Sequence, residues 1–255
     1  MTFHDILYES KSGTATVTIN RPEKLNAFRS QTLLEIDRTL QKAVRDSSVG
    51  VIVISGAGGK AFSVGGDIDE MVALNRKTGR LFVQKLLQLA RTFLTCPKPI
   101  IAKVNGYCLG GGNEIQLFCD LTIASEKSVF GQVGPKVGSA PLWGGTQILP
   151  LLVGLKRAHE MIYLCRQYPA REAKEMGLIN QIVPEVGLDA AVERIAEELL
   201  ERSPQALALV RNSLHAGLFK QIDQDLRRLT RIYGSDQFRE GMSAFLEKRP
   251  ARFRC

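Results

Sequence analysis

The chain has 255 residues, of which 44% are hydrophobic, enough to bury roughly 70–75% of its unfolded surface around one core without disulfides. No stretch approaches the ~18 uninterrupted apolar residues of a membrane helix, and the opening residues mix charge with apolar side chains, so a soluble, cytoplasmic protein with one main domain is expected. The formal charge of +8 favours an anionic partner, whether nucleic acid, acidic lipid headgroups or a phosphate-bearing small molecule, and does not choose among them.

In chain order, residues 14–20 alternate and are rich in β-branched side chains, which predicts a strand. Residues 31–45 carry apolar side chains at helical spacing, and residues 49–55 form a continuous apolar run typical of a strand buried on both faces. A helix over 81–94 leads to a strand over 99–104, and a helix starting within Gly110-Gly111-Gly112 leads to a strand over 121–124. Such alternation predicts right-handed crossovers and a mostly parallel sheet in an α/β fold. From about residue 145 the pattern is almost wholly helical, over 146–152, 156–165, 170–176, 188–202, 204–218, 222–233 and 237–248. The expected organisation is a core over 1–200 and a helical region over 201–255.

Two strand-to-helix junctions carry glycines: AFSVGGDIDEM at 61–71 and NGYCLGGGNEIQLFCD at 105–120. Backbone N–H groups at such junctions lack helical partners, and two of these loops facing each other can bind one carbonyl oxygen as negative charge develops on it. Glycine suits them because it permits close approach and positive φ; a glycine-lined packing contact is the alternative for either loop alone. Neither loop matches GxGxxG or a P-loop.

The motifs NRPEKLNAF (20–28), AFSVGGDI, NGYCLGGGNEI and FGQVGPKVGSAPLWGGTQ (130–147) together resemble the crotonase (enoyl-CoA hydratase/isomerase) superfamily over essentially the whole chain. The resemblance implies a crotonase-like spiral of ββα units, with the helical C-terminal region at subunit contacts in a homotrimer or a hexamer. It implies oxyanion-hole amides at Gly66 and Gly111. It further implies that Lys24, Leu25, Ala27, Ala61, Gly65, Asp67 and Ile68 hold the coenzyme A portion, and that Lys248 reaches CoA phosphates across a subunit boundary. Coenzyme A then enters as part of an acyl-CoA substrate, with no tightly bound cofactor and no metal.

Typical hydratases use two glutamates, one as base and one as acid. Glu114 matches the first, and the second position is Gly134, where relatives read FGQPE. The segment GQVGPKVGS, with Gln132 and Ser139, together with Tyr233, resembles the dihydroxynaphthoyl-CoA synthase and 2-ketocyclohexanecarboxyl-CoA hydrolase branch. In that branch a bicarbonate or other anion can occupy the space at Gly134, and the matching tyrosine arrives from another subunit. Pro141 stands where that branch has an aspartate, and the branch lacks a carboxylate at the position of Glu114. The expected activity is therefore hydration of an enoyl-CoA with a bulky, cyclic or aryl-bearing acyl group, as in aromatic compound degradation, with Trp143 and Tyr233 weighed as pocket-lining or packing residues. Ring-cleaving hydrolase or synthase chemistry, double-bond isomerisation, RNA binding and non-catalytic CoA binding are the alternatives.

Nucleic acid is disfavoured because no RNA-recognition aromatic motif is visible. The five cysteines, Cys96, Cys108, Cys119, Cys165 and Cys255, include no CxxC pair and are odd in number, against both a disulfide framework and a zinc site; none is expected to be catalytic. His4, His159 and His215 have no triad or metal spacing and read as structural.

Overall fold

The computed structural model describes residues 3–253; Cys255 and Arg254 lie outside them. Six strands form the larger sheet: β1 (Ile6–Lys11), β2 (Thr14–Ile19), β3 (Val51–Gly56), β5 (Ile100–Val104), β7 (Leu121–Ser125) and β10 (Gln181–Val183), in the order β1-β2-β3-β5-β7-β10. Only the β1–β2 pairing in this sheet is antiparallel. The central strand β3 is the continuous run of the sequence, as burial on both faces demands.

A smaller sheet runs β4 (Ala61–Ser63), β6 (Tyr107–Leu109), β8 (Val129–Gly131), β9 (Gln167–Pro169). It was not foreseen from the sequence, since three-residue strands leave no periodicity. Each central strand of the large sheet is followed by one of the small sheet and then by a helix: β3–β4 by α2 (Ile68–Met71) and α3 (Arg76–Thr95), β5–β6 by α4 (Gly111–Leu117), and β7–β8 by α5 (Leu149–Val153). With α1 (Ser30–Arg45) following β1–β2, this is the repeated ββα spiral that the family resemblance implies.

The later helices are α6 (Leu155–Tyr163), α7 (Ala170–Glu175), α8 (Leu188–Leu200), α9 (Pro204–Leu214), α10 (Leu218–Leu229) and α11 (Asp236–Leu246). Strands β9 and β10 lie between the helices expected from the sequence, and α5 begins later than expected because residues 142–148 form a tight turn. The C-terminal helices close on the core of their own chain. Ile222, Leu226, Leu229, Tyr233, Phe238 and Met242 join the same hydrophobic cluster as Ile19, Leu33 and Phe93, so residues on both sides of position 200 share one core.

Strands β4 and β6 pair in parallel, Ala61 with Tyr107 and Ser63 with Cys108. Parallel strands end on the same side, so this pairing brings the loop after β4 and the loop after β6 together. The start of α4 then seats directly on β4: a Cβ built on Gly112 would lie 2.1 Å from the Ser63 carbonyl oxygen. Because that neighbour is backbone, Gly112→Ala is expected to destabilise the fold by about 2–3 kcal/mol, measured by urea denaturation; an unchanged midpoint would contradict this packing.

Candidate active site

Gly65 and Gly111 stand face to face where the two loops meet. A Cβ built on Gly65 would lie 2.9 Å from the Gly111 nitrogen, and one built on Gly111 would lie 3.6 Å from the Gly65 Cα and 2.5 Å from the Phe28 ring. Gly65 also has φ +96°, which disfavours any side chain there. Phe28 N donates to Gly65 O and Asp67 N to Phe28 O, which pins the first loop across Gly66. Among the described residues the amides of Gly66 and Gly111 have no hydrogen-bond partner. Two free N–H groups on loops held this close are the arrangement an oxyanion needs.

The segment carrying Lys24, Leu25 and Ala27 is stapled to the same loops. Asn26 donates from Nδ2 to Ala57 O and Ala61 O and accepts from Arg21 N. Ser63 Oγ donates to Asn26 O. Arg21 Nη1 pairs with Asp67 Oδ2 at 2.8 Å, and Asp67 also caps α2 by accepting from Asp69 N. The Asp67 side chain is thus committed to structure, and Ala61 is buried with its carbonyl accepting from Asn26. Lys24 is exposed and pairs with Asp69 at 2.8 Å, while Leu25 adopts φ +51° with its side chain partly in solvent.

Glu114 lies in the first turn of α4, 6% exposed. Its Oε1 accepts from Trp143 N at 2.8 Å and Gly145 N at 3.2 Å. Its Oε2 accepts nothing from the described residues and is not sealed off. Burial pushes the carboxyl up to about 8, opposed by the N–H bonds of Gly145 and Trp143 that favour the charged form. A carboxylate with one oxygen anchored, the other available and a proton affinity near neutral is suited to moving a proton.

Around it, Trp143 contributes its backbone rather than its ring. The indole is buried, packs against Phe28 and Phe118, and donates from Nε1 to Leu86 O at 2.8 Å, which makes it core rather than pocket lining. Tyr233 is also buried, edge-on to Phe82 and Phe238, and its phenol pKa is raised by burial and by the charge of Glu114. It packs over Gly79 of the same chain.

Gly134 opens a short 3-10 turn, Gly134–Val137, closed by Ser139 N donating to Gly134 O. Helix α11 presses on that turn: a Cβ on Gly241 would lie 2.4 Å from the Val137 carbonyl carbon. Beside it Gln132 is fully buried, with neither end of its amide partnered among the described residues. Lys248 is exposed at the end of α11, with φ +53°. Open clefts of 490 Å³ and 300 Å³ elsewhere on the molecule contain none of these residues.

The model of one family, described as enoyl-CoA hydratase/isomerase, matches residues 9–255. The chain belongs to that family, within the crotonase superfamily. Similar solved structures extend over the full length of the chain. An enoyl-CoA hydratase from Mycobacterium avium subsp. paratuberculosis K-10 is 29% identical with a TM-score of 0.89, covering 100% of both chains. An enoyl-CoA hydratase/isomerase from Xanthobacter autotrophicus Py2 is 34% identical with a TM-score of 0.87, again covering 100% of both. An enoyl-CoA hydratase from Bacillus anthracis is 31% identical with a TM-score of 0.80, covering 98% of this chain and 99% of that one.

Other functional classes find less support within this enzyme family. Three of the C-terminal arginines are paired with carboxylates: Arg227 with Asp223, Arg228 with Asp225, and Arg249 with Glu240. Cys96, Cys108, Cys119 and Cys165 have thiol pKa values raised by burial, the opposite of an activated nucleophile. Among the described residues no group of His, Cys, Asp and Glu is arranged to hold a metal ion, and no helix is long and apolar enough to cross a membrane.

Proposed function

We propose that this enzyme adds water across the α,β double bond of an enoyl-CoA thioester. The observation that carries the reading is Glu114, buried and held through Oε1 alone, on the helix whose first residue, Gly111, offers one of the two free amides. The Gly66 and Gly111 N–H groups bind the thioester oxygen. Glu114 positions water through Oε2 and takes its proton as the water oxygen bonds to the β-carbon. Electrons of the C=C bond move onto the thioester, the oxygen carries the resulting enolate charge, and protonation at the α-carbon completes the addition.

Gly134 carries no acid for that last step. Its proton is supplied by bound water, by an anion such as bicarbonate near Gly134, or by a carboxylate of the substrate. The missing side chain also supports an acyl group bulkier than crotonyl: branched, cyclic or aryl-bearing, as aromatic degradation would supply. The coenzyme A portion lies along Lys24, Leu25, Ala27 and Ile68, with Lys248 serving phosphates. Exposed apolar residues on α9, namely Leu209, Val210 and Leu214, support a homo-oligomer, trimer or hexamer.

Hydration is read as reversible loss of conjugated enoyl-thioester absorbance without free thiol. Turnover of bulky enoyl-CoAs above crotonyl-CoA supports the acyl class; refusal of them with full crotonyl-CoA activity overturns it. Free thiol would indicate thioester hydrolysis, and an acyclic CoA ester from a cyclic substrate would indicate ring cleavage. Isomerisation is the second reading, favoured by the single anchored carboxylate, because one base can carry a proton between two carbons.

The charged form of Glu114 is the base. kcat/KM is therefore expected to rise about tenfold per pH unit up to an inflection near 8. A flat profile across pH 6–9 would separate the rate from this carboxyl.

A further inference from the structure

The carboxylate of Glu114 is held from outside its own helix. Both of its donors belong to the turn between Pro141 and Leu149, and that turn is braced by one side chain. Gln147 Oε1 accepts from Gly144 N at 3.1 Å, between the two residues whose amides reach Glu114. The backbone closes the same loop, with Gln147 N donating to Gly144 O at 3.2 Å, Ile148 N to Gly144 O at 2.7 Å and Thr146 N to Pro141 O at 3.0 Å. Gly144 has φ +99°, which glycine adopts without steric cost and which lets the chain turn back on itself here.

The other end of the Gln147 amide leaves the turn. Nε2 donates to Asp225 Oδ2 of α10 at 2.7 Å, across 78 residues of sequence. Asp225 is itself fixed by Arg228 Nη1 on Oδ1 at 2.7 Å, and α10 is anchored by the buried Ile222, Leu226 and Leu229. Only one orientation of the amide works. Gly144 N is purely a donor and the Asp225 carboxylate purely an acceptor, so flipping Gln147 would set N–H against N–H and oxygen against carboxylate. Gln147 is 8% exposed, so water offers little substitute for either bond.

We propose that Asp225 is a positioning residue of the active site: by fixing the Gln147 amide it sets the turn whose Trp143 and Gly145 N–H groups hold the Glu114 carboxylate. This rests on the reading in which Glu114 is the catalytic base, and it makes α10 part of the machinery through its contact with Gln147.

The test uses the full-length chain as wild type, Asp225→Ala, Asp225→Asn and Gln147→Met. Glu114 protonation is followed by infrared difference spectroscopy against Glu114→Gln, alongside kcat and KM for the best enoyl-CoA. With the turn loosened, the amide bonds that favour the charged form weaken, so the Glu114 midpoint in Asp225→Ala should rise from about 8 by about half a pH unit or more. kcat should fall about tenfold with KM within about threefold. Asp225→Asn, whose carbonyl oxygen can take the place of Asp225 Oδ2 and accept from Gln147, should bring both quantities back close to wild type, and Gln147→Met should reproduce the alanine variant. An unchanged Glu114 midpoint in folded Asp225→Ala or Gln147→Met, or asparagine behaving like alanine, overturns the proposal. If wild type hydrates no enoyl-CoA, the hydratase reading falls, while the infrared midpoints still decide the role of Asp225.

Discussion

Glu114→Gln is expected to lower kcat for hydration by about 10³-fold and at the same time to make the fold more stable at alkaline pH. The substitution is conservative in this site because both backbone donors, Trp143 N and Gly145 N, bond the same oxygen, Oε1. A glutamine carbonyl oxygen can accept both, so the turn keeps its anchor while the group at the Oε2 position loses its basicity. Residual activity would come from the amides and binding alone.

The stability effect follows from the same carboxyl. Its ordinary value is 4.5, and in the folded chain burial raises it to about 8. Between those values the unfolded chain has released a proton that the folded chain retains, so wild-type stability falls as pH rises through that window, and above pH 8 the full cost, on the order of 5 kcal/mol, is present. Glutamine does not ionise. The variant should therefore gain on wild type progressively from pH 5 to pH 9, reaching an advantage in Tm of about 5 °C or more at the alkaline end. Parallel melting curves for the two proteins across that range would show that Glu114 is not held against its charge.

Gly66→Pro is expected to reduce kcat by about 10²–10³-fold relative to Gly66→Ala, the loss associated with removing one oxyanion donor. The comparison is between the two variants because any side chain at Gly66 meets the same neighbour. A Cβ there would lie 2.3 Å from Met71 Sδ, the movable end of a flexible side chain, so alanine forces a local shift and keeps the N–H. Proline forces a similar shift and removes the N–H. The infrared band of a bound thioester carbonyl gives a reading apart from turnover: it should be displaced to lower frequency in Gly66→Ala and less so in Gly66→Pro. Equal kcat and equal carbonyl frequency in the two variants would remove Gly66 from the oxyanion hole.

The strands that were legible in the sequence are those whose burial leaves a pattern, alternating in β2 and continuous in β3. β3 is apolar on both faces because neighbouring strands and packed helices cover it, and its β-branched residues favour a strand. β4, β6 and β8 position the two glycine loops, yet each is three residues long, and their pairing is specified by contacts 20 to 50 residues away rather than by their own composition. β9 reads Gln-Tyr-Pro, and its proline disguises it, being compatible with a strand only at an edge.

The candidate site was legible in a different way. Composition and spacing pointed to two loops with free amides; the roles of Gly66, Gly111 and Glu114 rested on family resemblance. Trp143 shows the limit of residue type as a guide. From the sequence it reads as pocket lining or packing, and its ring is needed between Phe28 and Phe118, while its amide is the part that serves Glu114. Asp225 left no sequence signal at all, since an aspartate three residues before an arginine on an amphipathic helix reads as an ordinary surface ion pair; only the fold brings it to Gln147.

The central claim is tested most directly by incubating wild type and Glu114→Gln with enoyl-CoA in H₂¹⁸O and locating the isotope by mass spectrometry. The account predicts ¹⁸O in a hydroxyl on the β-carbon, formed by wild type and almost absent with the variant. Label in a released carboxylate, or a shifted double bond carrying no label, would contradict it.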